Sequence, residues 1–403
     1  MKKTRCTRIA LNALLELTSL TLLVYFQFLS IWRKVILVHF ASAAIGRLLP
    51  EAEEFFAETT SVRKTKLYGF FDKSKANILF VSYIKSKVKI MPNPIMVRVF
   101  SKIRSRQLEN TNLSIYVHGQ GHFYPFSMND RNQVKDDVWN FVEKKRAKFP
   151  SFELPERPYV VLCVREPTNP EVNDNLRNTS PSSFIPIVHY LSTLGINCVR
   201  MSRSANFKVD PDDTSLIDYP FTDFKSDFAD FTLFKNAEFC ISTGFGVDHF
   251  ASFFGIPVLT MNAPLMATYL RKEKRYILPK IFVDIESNKV LSVDEILSKG
   301  LHLIEKDSEL QSLGYSLIDN PPCVMTNAIK EFHENNYFLE INESTIAKSE
   351  AKKIAFARYK YHRMYFQGKE LKYEKKFDLE NFIYISASWP NLTNVGKVVN
   401  GPS

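Results

Sequence analysis

The sequence predicts an α/β protein built from two Rossmann-like doubly wound domains, with an apolar helix ahead of them. Three observations lead there. Wholly apolar, β-branched runs such as residues 34–40 and 159–164 alternate with amphipathic stretches of helical length, as in parallel sheets covered on both faces. Glycine-containing loops follow several of the runs, at residues 119–121 and 242–246 among others. A chain of 403 residues also suits two domains of ordinary size better than one core. The expected division is 1–32, 33–150, 151–325 and 326–403.

At the N-terminus, Lys2, Lys3, Arg5 and Arg8 precede an apolar run over residues 9–32, interrupted by Asn12, Glu16 and Gln27. The run is long enough to span a bilayer, and the basic residues ahead of it would then send the following domain outside. A cleaved signal would need a small-residue site that the run does not end on. A third reading is a packed helix, or one lying on the inner leaflet with its basic end among anionic lipids. The five cysteines, Cys6, Cys163, Cys198, Cys240 and Cys323, are odd in number and form no C-x-x-C pair. Three sit in apolar runs, as reduced buried thiols do. The expectation is therefore a cytoplasmic protein at the inner face of the membrane.

In the first domain, residues 34–40 read as a strand and 41–46 as a small-residue loop. A helix opened by Pro50 then carries Glu51, Glu53 and Glu54. Residues 76–82 and 113–118 read as further strands. The second runs into Gly119-Gln120-Gly121, flanked by His118 and His122. That loop is either a surface turn or part of a ligand crevice on the acceptor side. A charged helix over 136–149 and a proline-punctuated linker at 150–158 close the domain.

The second domain opens on the strand at 159–164, which delivers Arg165 and Glu166 to the sheet's rim. An arginine there can fork two hydrogen bonds onto a diphosphate, or pair with a nearby carboxylate. A helix over 184–194 stops at Gly195, and a strand at 196–201 carries Arg200. A polar loop fills 202–220, and a helix covers 227–236. The most informative stretch follows: strand 238–241, the loop Ser242-Thr243-Gly244-Phe245-Gly246, helix 247–254 with Asp248 and His249 at its start, and strand 257–261 ending at Asn262. The glycines let the backbone approach a ligand, and the N–H groups opening the helix suit a phosphate or carboxylate. The tail is expected to form helices over 329–338 and 346–367. The second is basic and aromatic, fit to cross back onto the first domain, touch a membrane, or present a solvated face.

Net charge is +10 with a pI near 9.1, which fits a soluble basic surface or anionic partners such as headgroups and nucleotide diphosphates. Nucleic acid is not expected, because no zinc spacing, RNP motif or basic helix would place base contacts. No metal or cofactor is expected either. Asp210-Pro211-Asp212-Asp213 reads as a solvated turn, and Asp223, Asp227 and Asp230 decorate a helix start. A dinucleotide fingerprint would need a third glycine where His249 stands.

One ordered set of segments resembles the pattern of a group of bacterial glycosyltransferases of surface-polysaccharide type, with two Rossmann-like domains (GT-B-like). The segments are Val164-Arg165-Glu166, Leu176-Arg177-Asn178, Val199-Arg200-Met201, Ser242-Thr243-Gly244 and Pro257 through Asn262. The likeness is clearest over 159–262 and extends to Ile45-Gly46-Arg47-Leu48 and Ile385-Ser386. It implies metal-independent sugar transfer from a nucleotide-sugar donor to a cell-surface glycan or lipid-linked acceptor, in a cleft between facing domains. Arg165 and Arg200 would neutralise the departing diphosphate. Arg177, Ser242, Thr243, Gly244, Phe245, Gly246, Asp248, His249 and Asn262 would complete the donor site. His118, His122 and Glu51 are the candidate bases. Glu166 stands where the group has Asp, Ser202 where it has Gly, and Arg47 where it has His. The alternative is accordingly a catalytically silent nucleotide-sugar or glycan binder on the same fold.

Overall fold

The apolar run at 34–40 is strand β1 (Lys34–Phe40) of a parallel sheet, preceded by the long helix α1 (Lys2–Trp32). The computed structural model describes residues 2–40, 45–59, 65–71, 77–91, 94–105, 112–116, 128–166, 175–202, 205, 208–209, 215–244, 246–265, 275–304, 306–334 and 383–385. His118, His122, Phe245, Asp210, Asp212, Asp213 and the expected helix at 346–367 lie outside these residues. The chain divides into two compact units, residues 1–150 and 151–403.

In the first unit β1 leads to α2 (Ile45–Thr59), β2 (Thr65–Phe71), α3 (Ile78–Lys87), β3 (Lys89–Met91), α4 (Pro94–Arg104), β4 (Leu113–Tyr116) and α5 (Met128–Glu143). Among the described residues the sheet has the order β3-β2-β1-β4, every pair parallel. Aromatic rings fill one side of it: Phe40 meets Phe55 edge-on at 5.5 Å, and Phe55 meets Tyr116 at 5.0 Å.

Four expectations for this unit are corrected. Of the strand expected over 76–82, the described residues 77–82 are helical: Asn77 caps α3, its side chain accepting from the Phe80 N–H at 3.2 Å, and Leu79, Phe80 and Val81 are buried on the helix. The second strand is β2, whose Gly69 lies so close to Val88 that a Cβ would meet its Cγ1 at 2.9 Å. Pro50 does not open α2 but lies inside it, more than a turn beyond Ile45. The last helix begins at Met128 and ends at Glu143, followed by a 3-10 turn at Arg146–Lys148.

The second unit runs β5 (Tyr159–Cys163), α6 (Ile185–Thr193), β6 (Asn197–Arg200), β7 (Leu216–Asp218), α7 (Asp227–Lys235), β8 (Cys240–Ser242), α8 (His249–Phe254), β9 (Val258–Ala263) and β10 (Arg275–Pro279). It continues with β11 (Ile281–Asp284), β12 (Lys289–Val290), α9 (Val293–Ser298), α10 (Asp307–Ser312), β13 (Tyr315–Ile318), α11 (Pro322–Glu334) and β14 (Ile383–Ile385). The main sheet, parallel throughout, has the order β14-β10-β9-β8-β5-β6-β7 among the described residues. A small antiparallel sheet, β12-β11-β13, stands beside it.

The expected loop at 202–220 contains β7, an edge strand too short to read as one from three residues. The helix expected from residue 329 begins at Pro322. The core gathers Val160, Leu162, Phe184, Phe239, Ile241, Leu259 and Phe332, with Phe332 edge-on to Phe239 at 5.3 Å. Cys163, Cys198 and Cys240 are buried thiols and Cys323 is an exposed one, none of the four in a disulfide.

Candidate functional site

In the second unit the strand order reverses between β5 and β8: β6 and β7 extend the sheet to one side, β9, β10 and β14 to the other. Open parallel sheets hold ligands outside the carboxyl ends of the two strands at such a reversal. Arg165 follows β5, and Thr243 and Gly244 follow β8, so topology alone brings them together.

The contacts between them are specific. The Arg165 N–H donates to Thr243 Oγ1 at 2.9 Å, and the Thr243 N–H donates to the Cys163 carbonyl at 3.0 Å. The Arg165 Nε donates to Asn178 Oδ1 at 3.3 Å. From the same segment the Arg177 guanidinium donates to the Gly244 carbonyl. Gly244 itself has φ 74°, the left-handed region that a side chain disfavours. Its N–H donates to Ser242 Oγ at 3.1 Å, and Ser242 donates in turn to Asp248 Oδ2 at 2.8 Å. The other oxygen of Asp248 meets His249 Nδ1 at 2.7 Å. Ser242 thus fixes the backbone of Gly244, Thr243 fixes that of Arg165, and Asp248 ties Ser242 to His249.

Burial separates the predicted site residues. Ser242, Thr243, Asp248 and His249 are buried, so they build the turn rather than face a ligand. Arg165, Arg177 and Gly246 are partly exposed at the rim. The helix expected from Val247 is a 3-10 turn, Gly246–Asp248, followed by the six-residue α8. A helix so short has little macrodipole, so among the described residues the positive charge at this rim comes from side chains, Arg165 and Arg177 among them.

Two predicted donor residues receive a different place. Arg200 is 1% exposed; its Nη1 lies 2.9 Å from both oxygens of Asp218, and its Nη2 meets Glu166. Its charge is matched inside the protein, because a buried guanidinium without carboxylates would be prohibitively costly. The Glu166 that departs from the group's Asp is its partner. Asn262 is wholly buried, its Oδ1 accepting from the N–H of Asn320 at 2.8 Å and from Asn320 Nδ2 at 2.7 Å. With φ 50° it is the extra residue where the β9–β10 register shifts. It therefore acts on the rim by bending the strand end.

In the first unit Glu51 is buried on α2, with Arg47 Nε at 3.7 Å from its carboxylate. Beneath the turn, burial pushes the Cys163 thiol well above its usual range, with the Cys240 sulfur at 3.9 Å.

Sequence reasoning missed Lys280. It is buried after β10, donates to the Asn178 carbonyl at 2.7 Å and pairs with Asp319 at 2.7 Å. Because Asn178 receives the Arg165 Nε, Lys280 supports the arginine from behind. No local pattern marks a single lysine between two strands, so only the fold reveals it.

No family model and no curated protein matches the chain. Solved structures similar to it include the dodecameric iron-containing heptosyltransferase TibC from enterotoxigenic E. coli in complex with ADP-D-β-D-heptose. That match has 13% identity and a TM-score of 0.33, covering 60% of this chain and 61% of TibC. Others are the E. coli heptosyltransferase WaaC with ADP (10%, TM-score 0.34, 61% and 91% covered) and a family 9 glycosyl transferase from Veillonella parvula (10%, 0.34, 70% and 96%). The chain spans less than two thirds of TibC's length. Such distant likenesses assign no activity to it. What the rim can do follows from its own chemistry: two arginines held over a glycine turn can grip an anion with more than one phosphate.

Proposed function

We propose that the second unit binds the diphosphate of a nucleotide sugar at this rim, and that the chain is a metal-independent glycosyltransferase. The observation carrying this reading is the strapping of Arg165 and Arg177 to the Thr243–Gly244 turn at the strand-order reversal. Guanidinium groups held there meet a diphosphate in fork geometry and neutralise charge developing on the leaving group. The sequence resemblance supplies the reaction class, glycosyl transfer; a cell-surface glycan or lipid-linked acceptor at the cytoplasmic face of the membrane fits the cysteine usage and the basic, apolar N-terminal run. In this reading a base from the first unit, Glu51, His118 or His122, takes the acceptor proton.

The test is a thermal-shift panel of UDP, GDP, CMP, dTDP and ADP sugars on the wild type and Arg165→Ala. One nucleotide class stabilises the wild type, and the variant loses that shift. No shift with any donor at millimolar concentration overturns the reading.

Binding without turnover is the second reading. It is favoured by Arg47, which stands in the place of the group's His with a largely exposed side chain beside Glu51. Donor hydrolysis separates the two, because a silent binder gives the thermal shift and releases no nucleotide.

A further inference from the structure

Helix α1 is 31 residues long, or roughly 46 Å at 1.5 Å per residue. It has two apolar faces, and the first unit uses only one of them. Leu15, Ser19, Leu23, Phe26 and Ser30 are buried, following the helical repeat along one stripe. Phe26 packs edge-on against Tyr68 of β2 at 4.9 Å, and the helix also packs along α4. Its one acidic residue in this stretch, Glu16, is paired with Lys102 of α4.

The opposite stripe is exposed and apolar. Leu14, Leu17, Leu20, Val24, Phe28 and Trp32 are between 48% and 77% accessible. Soluble surfaces rarely carry so continuous an apolar band without an occupant. From residue 13 to residue 32 the exposed residues carry few polar atoms, the hydroxyls of Thr21 and Tyr25 and the indole N–H of Trp32, while the Glu16 side chain, 47% accessible, turns to Lys102. Thr21 turns its hydroxyl back to the Leu17 carbonyl at 3.0 Å, and Thr18 does the same to Leu14 at 2.8 Å. Hydroxyls satisfied in this way need no water. Basic residues flank the band: Lys2, Lys3, Arg5 and Arg8 in the first turns, and Arg33 at the end.

The geometry points to a monotopic membrane helix: α1 stays docked on the first unit and sinks its exposed stripe into an anionic lipid surface. An apolar band with cationic ends fits the acyl boundary and the headgroups together. Residues 10–32 are also long and apolar enough to span. Spanning, however, would pull Leu15, Leu23 and Phe26 out of the core they share with Val35, Tyr68 and Val99. The inference deepens the lipid-linked part of the proposed function but rests on the first unit alone.

The test is co-sedimentation of the full chain, without any donor, with phosphatidylglycerol-rich or pure phosphatidylcholine vesicles. The wild type binds the anionic vesicles preferentially. The double variant Leu17→Asp/Phe28→Asp, altered only at exposed positions, keeps its far-UV circular dichroism and loses binding by at least about tenfold. Undiminished binding by the variant overturns the proposal. So does a wild type that ignores vesicles and forms a dimer dissolved by the same substitutions, which would make the stripe a contact between copies. Protease protection of the N-terminus and the second unit on opposite sides of a vesicle would establish a span instead. Because no donor is present, none of these outcomes bears on the diphosphate site.

Discussion

The two parallel sheets share an arrangement at their centres: the first strand of each lies between its second and fourth. Their surroundings differ. In the second unit the neighbouring strand ends carry arginines, a hydroxyl-braced glycine turn and a buried arginine–carboxylate cluster. In the first, β1 leads to α2, where Glu51, Glu53 and Glu58 are buried among phenylalanines. Topology decides where loops converge; side chains decide what they can hold. One sheet ends in a rim with partly exposed arginines, and the other carries an aromatic core that also seats a long apolar helix.

The contrast is broken most forcefully at Arg200. Arg200→Met removes the guanidinium held between the buried carboxylates of Asp218 and Glu166, and urea unfolding should register a loss of about 3–5 kcal/mol. Removing Arg47, whose side chain is 72% accessible beside Glu51, should cost less than about 1 kcal/mol in the same assay. Next in size is the rim itself. Arg165→Ala and Arg177→Ala should each weaken donor binding by about 1.5–3 kcal/mol, read by calorimetry. A fall in the unfolding midpoint as large as that of Arg200→Met would show instead that the arginines only hold the fold.

On the other side of the comparison, Gly69→Ala forces a methyl against Val88 and Ile90, and should cost about 1–3 kcal/mol with donor affinity unchanged. The smallest effect is one of pH. Glu295, in the capping box of α9, has its carboxyl pulled from 4.5 to about 2, chiefly by the Ser292 N–H. A depressed folded value means that its contribution is complete above pH 4.5 and fades as the pH falls towards 2. Glu295→Gln should flatten that part of the stability–pH curve, measured by thermal melts.

The second unit was far more legible in the sequence than the first. Its opening strand β5 is wholly buried and continuously apolar, and Gly195 and Gly244 mark a helix stop and a turn whose backbones take positive φ. In the first unit the apolar run after Asn77 is as fit for a helix as for a strand, and the cap that decides between them is one side chain. The β2 segment, with Lys66 and Tyr68 around Gly69, lacks the β-branched signature and becomes a strand through its neighbours. At the site, sequence brought out the arginines and the turn but not their burial. Arg165 and Arg200 look alike as strand-end arginines, and only the carboxylates delivered by β7 and Glu166 tell them apart.

The pairing of β14 with β10 has a consequence for biosynthesis. Arg275 finds its sheet partner at Ile383, so during translation the β10 edge stands open until the ribosome has passed that far segment. An unpaired strand edge recruits other chains. A nascent chain halted before Ile383 is therefore the species of this protein most in need of a chaperone.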